Sequence, residues 1–334
     1  MDTLVEPATS APPRRARRWR LGVLVVVALV VIVAAVATER LAHTPPEPLG
    51  PAPGAWTVVP HTGLSAWVDV YDWTVELGGP QPSVTADDVD AMADAGVQTI
   101  YIQTAHTRSA SVGVMEPARL EKIIQRANDH RMHVVAWYLP TFEDVDADLQ
   151  RLTASADLDV GGLAVDIESV AIPDAAERNR RLLELSTRLR AAIDPDKAIA
   201  AITPSAVQLQ VVNPAFWPGF PWRQIGATYD AILPMSYWSI RKGELRDGHT
   251  YTDANLERTR ASIGNPDVPI VPVGGLAEDS TVTDLQGMVT AIEAHDAPGG
   301  GLYDWASSTP EQWEVLAPLA ALQQPLPDAA TSSG

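Results

Sequence analysis

The run Gly162-Leu163-Ala164-Val165-Asp166-Ile167-Glu168 ends an apolar segment in two carboxylates one residue apart. Read as a strand, alternate side chains share a face. Asp166 and Glu168 then aim one way, and Leu163, Val165 and Ile167 the other. Two neighbouring acids on a buried strand raise each other's proton affinity, and general acids are made in this way. A carboxyl pair at the C-terminal end of a barrel strand suits acid-assisted cleavage of a glycosidic bond.

The surrounding pattern supplies the elements that would position the pair. Strand-like runs occur at 65–70, 99–103, 133–138, 162–168, 198–203, 231–237, 268–273 and 301–305. Helical patterns separate most of them: one from Thr85 to a stop at Gly96, then 116–130, 174–193, 253–263 and 280–295. A short candidate at 222–229 links the fifth and sixth strands. The last helix opens at Thr309-Pro310-Glu311-Gln312, with a cap residue, a proline at the first position and a glutamine at the third. Alternation of this kind predicts a parallel sheet. Eight strands predict closure into a single (β/α)8 TIM barrel spanning 56–322. An open doubly wound sheet would need a phosphate-binding Gly-rich turn after the first strand, and Gly78-Gly79-Pro80 is not one.

In a barrel the reacting groups sit at the C-terminal strand ends. There the sequence offers Asp69, Tyr71, Asp72 and Trp73, then Gln103 and His106, then Trp137 and Tyr138. The fourth end gives Asp166 and Glu168, the fifth Thr203 and Ser205, the sixth Met235, Tyr237 and Trp238. The eighth gives Tyr303, Asp304 and Trp305. Asp69, Trp73, Gln103, Tyr138, Met235, Trp238, Asp304 and Trp305 are the candidate substrate-binding residues. Aromatic faces beside carboxylates suit sugars, and the ten Trp against three Phe fit that reading; core filling explains some of them equally well. His106, His130 and His133 lack metal-ligand spacing and read as surface or structural residues. The aromatic loop 216–222 reads equally as a sugar platform and as a cap on the core.

These residues carry a resemblance. Gly-Leu-Ala-Val-Asp-Ile-Glu is similar to the fourth-strand motif of family 18 glycoside hydrolases, the chitinase-like barrels, Asp-Gly-φ-Asp-φ-Asp-φ-Glu. Its last Asp and Glu match Asp166 and Glu168, whereas Gly161 and Ala164 stand where the first two acids would be. Pro234-Met235-Ser236-Tyr237 resembles the sixth-strand Met-x-Tyr, and 300–305 resembles the last strand with its Trp. The resemblance implies Glu168 as catalytic acid, Asp166 orienting the substrate's N-acetyl group, Tyr237 assisting, and Trp305 as the floor under the sugar. Asp69-Val70-Tyr71-Asp72-Trp73 is also similar to the first-strand motif of family 25 lysozyme-like muramidases, with Tyr71 in place of a Ser. Either resemblance implies an N-acetylated glycan, of the peptidoglycan or chitin type, as substrate. Ala164 keeps open a non-catalytic glycan-binding or envelope-scaffolding barrel.

The N-terminus implies a membrane partner. Residues 21–37 are an unbroken apolar run of 17, preceded by Arg14, Arg15, Arg17, Arg18 and Arg20. The run is near the lower limit for a transmembrane helix, and the arginines predict a cytoplasmic 1–20 segment. The alternative is a cleaved export signal ending at Ala35-Val36-Ala37. Residues 38–55 read as a Pro-rich linker and 323–334 as a flexible tail. Five arginines and two acids precede residue 21, so the rest carries 19 basic and 40 acidic residues, a net −21. That balance argues against nucleic acid. The chain has no cysteine, hence neither disulfide nor thiolate metal site. No cofactor motif and no metal site are expected.

Overall fold

The computed structural model describes residues 58–194 and 197–323. Its centre is a closed parallel barrel whose eight strands follow one another in sequence order. They are β1 (Gly63–Val68), β2 (Thr99–Gln103), β3 (His133–Tyr138), β4 (Gly162–Asp166), β5 (Ala198–Pro204), β6 (Ala231–Met235), β7 (Val273–Leu276) and β8 (Gly299–Tyr303). The helices that follow each strand in turn are α1 (Asp88–Asp94), α2 (Pro117–Asp129), α3 (Val145–Ala156), α4 (Ala175–Ala192), α5 (Trp222–Thr228), α6 (Gly248–Ile263), α7 (Val282–Ala294) and α8 (Pro310–Leu316). The expected (β/α)8 barrel is therefore present. Segments 1–20, 21–37 and 38–55, including the predicted membrane helix, lie outside the described residues. No helix among the described residues is long and apolar enough to cross a membrane. Gln323, assigned to the tail, is held by Gln98, whose Nε2 donates to its Oε1 at 3.0 Å.

Two apolar layers follow from strand alternation. Leu163, Val165 and Ile167 face outward with the helices. Ala164 faces inward, in a cluster with Trp67, Tyr101, Val135, Trp137, Ala200, Ala231 and Leu233. Large rings thus meet small partners across the barrel. Trp67 stacks on Tyr101 with ring centroids 4.2 Å apart, and Trp137 lies opposite Ala164 in the β3–β4 register. The bottom is plugged by a 3-10 turn, Val59–His61, where the Tyr101 hydroxyl meets His61 Nδ1 at 2.9 Å. Burial, and secondarily His133, holds the His61 imidazole down at about 3, so the plug is neutral.

Among the differences from the sequence reading, two strand starts have a backbone reason and one helix a packing reason. β8 begins at Gly299, two residues early. A Cβ on Gly299 would lie 2.4 Å from the Gly63 carbonyl oxygen, and one on Gly301 2.1 Å from Ser65 Oγ. Barrel closure thus needs glycines that disfavour a strand assignment. β7 begins at Val273, at the end of the expected 268–273 run. Pro269 and Pro272 have no N–H to give the ladder, so Ile270 makes only an isolated bridge to Ile232. Helix α3 was not expected at all. Its buried face includes Asp148, Arg151 and Ser155 beside Leu152, which hides the apolar period. Asp148 accepts from the Tyr138 hydroxyl at 2.6 Å, and Ser155 pairs with Thr104 at 2.6 Å.

The closure argument has a direct check. Gly301→Ala should cost about 3 kcal/mol, the upper end for overpacking, because backbone cannot retreat from the added methyl. Gly113→Ala, whose Cβ would touch only Ala154 at 3.4 Å, should stay within about 0.5 kcal/mol of wild type in the same denaturant titration.

Candidate active site

Asp166 closes β4 on its inward face, and the backbone pairing runs one step further, Ile167 N–H donating to the Ile202 carbonyl at 2.8 Å. That extra bond holds Glu168 on the same face, just above the barrel. Asp166 is buried and Glu168 half-buried. Oδ1 of Asp166 has no hydrogen-bond partner. Burial raises the pKa of both carboxyls, and the charge of Glu168 adds to the rise at Asp166. The pair binds protons more tightly than exposed acids do.

Facing it is a second group of acids. Asp69 follows β1 and caps the one-turn helix Val70–Trp73, its Oδ1 accepting from Tyr71 N–H at 2.6 Å. Asp72 Oδ2 accepts in return from Asp69 N–H at 3.3 Å. Asp304, after β8, accepts from the Ser307 backbone N–H and hydroxyl at 2.8 and 2.7 Å. Carboxylate oxygens of Asp69, Asp72 and Asp304 lie within 4.8 Å of one another. Burial, reinforced by the charge of Asp304, pushes Asp69 to about 7; burial with the charges of Asp69 and Asp304 pushes Asp72 to about 8; and burial raises Asp304. Three oxygens at that spacing have the geometry for a cation. The hydrogen bonds already engaging Asp69, Asp72 and Asp304 account for the cluster equally well.

Two phenols bridge the acid groups. Tyr303 donates its hydroxyl to Asp69 Oδ2 at 2.9 Å, and its ring centroid lies 6.1 Å from that of Tyr237. The Tyr237 hydroxyl is pushed well up, first by burial and then by Glu168, Asp166, Asp304 and Asp69. One phenol thus feels carboxyls from β4, β8 and β1, so all belong to one mouth. The expected residues Asp166, Glu168, Tyr237, Asp69 and Asp304 converge here. Met235 lies just below, in the inner wall.

The other candidate binding residues are placed elsewhere. Trp73, Tyr138 and Trp238 are fully buried in the outer layer between barrel and helices. Trp73 Nε1 donates to the Gln103 carbonyl at 2.8 Å, and Tyr138 is spent on Asp148. These three residues are therefore corrected from sugar contacts to core residues that hold the rim. Gln103 is buried and accepts from Val70 N–H at 3.2 Å, which fixes the turn carrying Asp69. Trp305 leans on Trp313, centroids 5.0 Å apart, and keeps part of its surface free. In the aromatic loop, Trp217 is buried between Phe142, Phe220 and the Arg178 guanidinium, 4.1 Å from its ring. That part of the loop caps the core. Asp72 and Tyr303 were given no role from sequence, although the spacing Asp69-x-x-Asp72 is a capping-box signature.

The fold has clear structural counterparts. The chain is similar to a chitinase from Chromobacterium violaceum ATCC 12472 at 11% identity and TM-score 0.52, covering 79% of this chain and 100% of that one. A class V chitinase from Pseudomonas fluorescens Pf-5 aligns at 10% identity and TM-score 0.57, over 78% and 99% of the two chains. The spore cortex-lytic enzyme SleL of Bacillus megaterium QM B1551 aligns at 9% identity and TM-score 0.54, over 76% and 73%. The barrel is thus of the kind found in chitinase-like glycoside hydrolases, a likeness of fold. No protein-family model and no curated sequence matches the chain.

The acid cluster makes stability depend on pH in a defined direction. Asp69 and Asp72 bind protons more tightly folded than unfolded, so their contribution is complete below about 4 and is lost as pH rises through about 7 to 8. Stability measured by urea unfolding should therefore fall between pH 4 and pH 8, and Asp72→Asn should flatten that fall.

Proposed function

We propose that this chain is a glycoside hydrolase of N-acetylated glycans, peptidoglycan or chitin-like, with Glu168 as the general acid. The observation that carries the reading is the inward Asp166–Glu168 pair at the barrel mouth, its proton affinity raised by burial and flanked by Tyr237. The named activities of two structural counterparts, chitinase and spore cortex lysis, agree in substrate class.

In this mechanism Glu168 gives its proton to the glycosidic oxygen as the bond to the anomeric carbon breaks. The substrate's own acetamide oxygen attacks that carbon, so no protein nucleophile is needed. Asp166 accepts the acetamide N–H, a task suited to its buried and unpartnered Oδ1. Tyr237, kept protonated, donates to the acetamide oxygen. Water then opens the cyclic intermediate, and Glu168 takes a proton from it, which restores the acid.

Ala164 supports a second reading, a barrel that binds glycans without cleaving them. It occupies the position of an acid in the resembling motif and is fully buried beside Trp137. We also propose that 21–37 anchors the chain in a membrane and that the barrel works on the outer side. The arginine cluster before that run supports this orientation.

Glu168→Gln should lower kcat on peptidoglycan or N-acetylglucosamine oligomers by about 10²–10⁴-fold and leave oligosaccharide binding in place. Wild-type turnover should fall as pH rises through the raised pKa of Glu168. A folded wild type that binds these glycans and releases no sugar would instead establish the binding barrel.

A further inference from the structure

Strand alternation leaves β8 a single large side chain on its inner face. Leu302 packs with the helices, and a Cβ on Gly300 would also meet them, at Ile292 and Leu319. Gly299, Gly301 and Tyr303 therefore face inward. Tyr303 packs on the inner apolar cluster, and so does Tyr237 after β6. The pairing of β8 with β1 runs as far as Leu302 opposite Ala66, which sets Tyr303 level with Trp67 at the top of the plug.

Trp305 does not share that place. It stands in the 3-10 turn Trp305–Ser307 and packs with the layer between barrel and helices, its ring centroid 5.0 Å from that of Trp313. Trp313 Nε1 donates in turn to Ser308 Oγ at 2.7 Å, which ties the two indoles to the outer side of the rim.

Tyr303 is locked where it stands. Its hydroxyl donates to Asp69 Oδ2 at 2.9 Å, and Asp69 Oδ1 accepts from Tyr71 N–H at 2.6 Å. The Tyr237 ring lies 6.1 Å away at 47°, so the two rings form an open corner and not a stack. Both keep part of their surface exposed. In the closed ring β4 stands four strands from β8, so Asp166 and Glu168 face Tyr303 from across the mouth. A pyranose carries an apolar face made of its axial C–H groups. Laid on Tyr303 with an edge against Tyr237, such a sugar would reach across towards Glu168. A ring already fixed by Asp69 loses little rotamer freedom when it is covered.

We infer that Tyr303, cornered by Tyr237, is the platform under the sugar whose bond Glu168 protonates, the place that the family resemblance gives to Trp305. The inference rests on the glycan reading of the mouth and names the residue that carries its recognition.

The test is calorimetric binding of the full-length chain carrying Glu168→Gln to two ligands, an N-acetylglucosamine tetrasaccharide and a tetrasaccharide cut from peptidoglycan. Adding Tyr303→Leu, which removes the ring, should weaken binding about tenfold. Adding Tyr303→Phe instead keeps the ring and loses only the bond to Asp69, and should weaken binding no more than about threefold. The loss from Trp305→Leu should be several times smaller than that from Tyr303→Leu. A Phe variant as weak as the Leu variant would mean that Tyr303 acts through Asp69, and would overturn the platform alone. So would a loss from Trp305→Leu that equals or exceeds the loss from Tyr303→Leu. If Tyr303→Leu does not fold, the other two variants decide: a tenfold loss in either overturns the platform, and affinity kept in both upholds it. Binding of neither ligand by the parent chain would overturn the glycan reading and the platform with it.

Discussion

The volume of three aromatic rings inside the barrel sets the terms for the rest of the molecule. Trp67, Tyr101 and Trp137 occupy much of the inner layer, and Ala164, Ala200 and Ala231 are the small residues on β4, β5 and β6 in the same cluster. Close packing leaves no room for a larger side chain at 164 without displacing an indole. The position that holds an acid in the resembling motif is therefore a packing position here. The next two inward positions of the same strand, 166 and 168, rise clear of the rings and carry the carboxyls. Packing and chemistry divide one strand face between them.

That division determines the electrostatics. An acid above an apolar plug loses water on one side, and at the mouth desolvation comes first among the causes acting on Asp166, Glu168, Asp69, Asp72 and Asp304. On the surface the same residue types behave oppositely. Glu177, hydrogen-bonded to Arg180 and Arg181, is held at about 2. A strongly acidic chain thus keeps its charge outside and a partly protonated set of carboxyls inside. That is the state a proton donor needs in the proposed reaction.

Strand order, closure and the acid pair were legible because they depend on local rules: alternation of side chains, the spacing of apolar runs and capping residues such as Thr309 and Gln312. What escaped depended on partners distant in sequence. Gly299 and Gly301 belong to β8 because β1 approaches them. Helix α3 exists because Tyr138 and Thr104 supply polar partners for Asp148 and Ser155. The same distance explains the misplaced aromatics. Trp73 and Trp238 follow strand ends in sequence, but their rings turn into the outer layer, and nothing local distinguishes that from a sugar platform; Tyr138 lies within β3, where alternation with the inward Trp137 already turns it outward.

The loss of those three rings from the mouth changes where recognition must come from. Tyr303 is tied to Asp69, Tyr237 lies among the carboxyls, and Trp305 rests on Trp313 with only part of its face free. The barrel ends thus supply acids and phenols, groups that in the proposed reaction would act on one sugar unit. Under that reading, contacts to neighbouring units would come from the loops, where Tyr71 stands 42% exposed after β1. Those loops are fixed from below by buried residues. Trp73 and Gln103 hold the turn of Asp69, and Trp217 clamps the β5 loop onto Arg178 and Asn179. A rim pinned in this way would lose little further freedom on binding the proposed glycan, so little of the binding energy would be spent on ordering the loops.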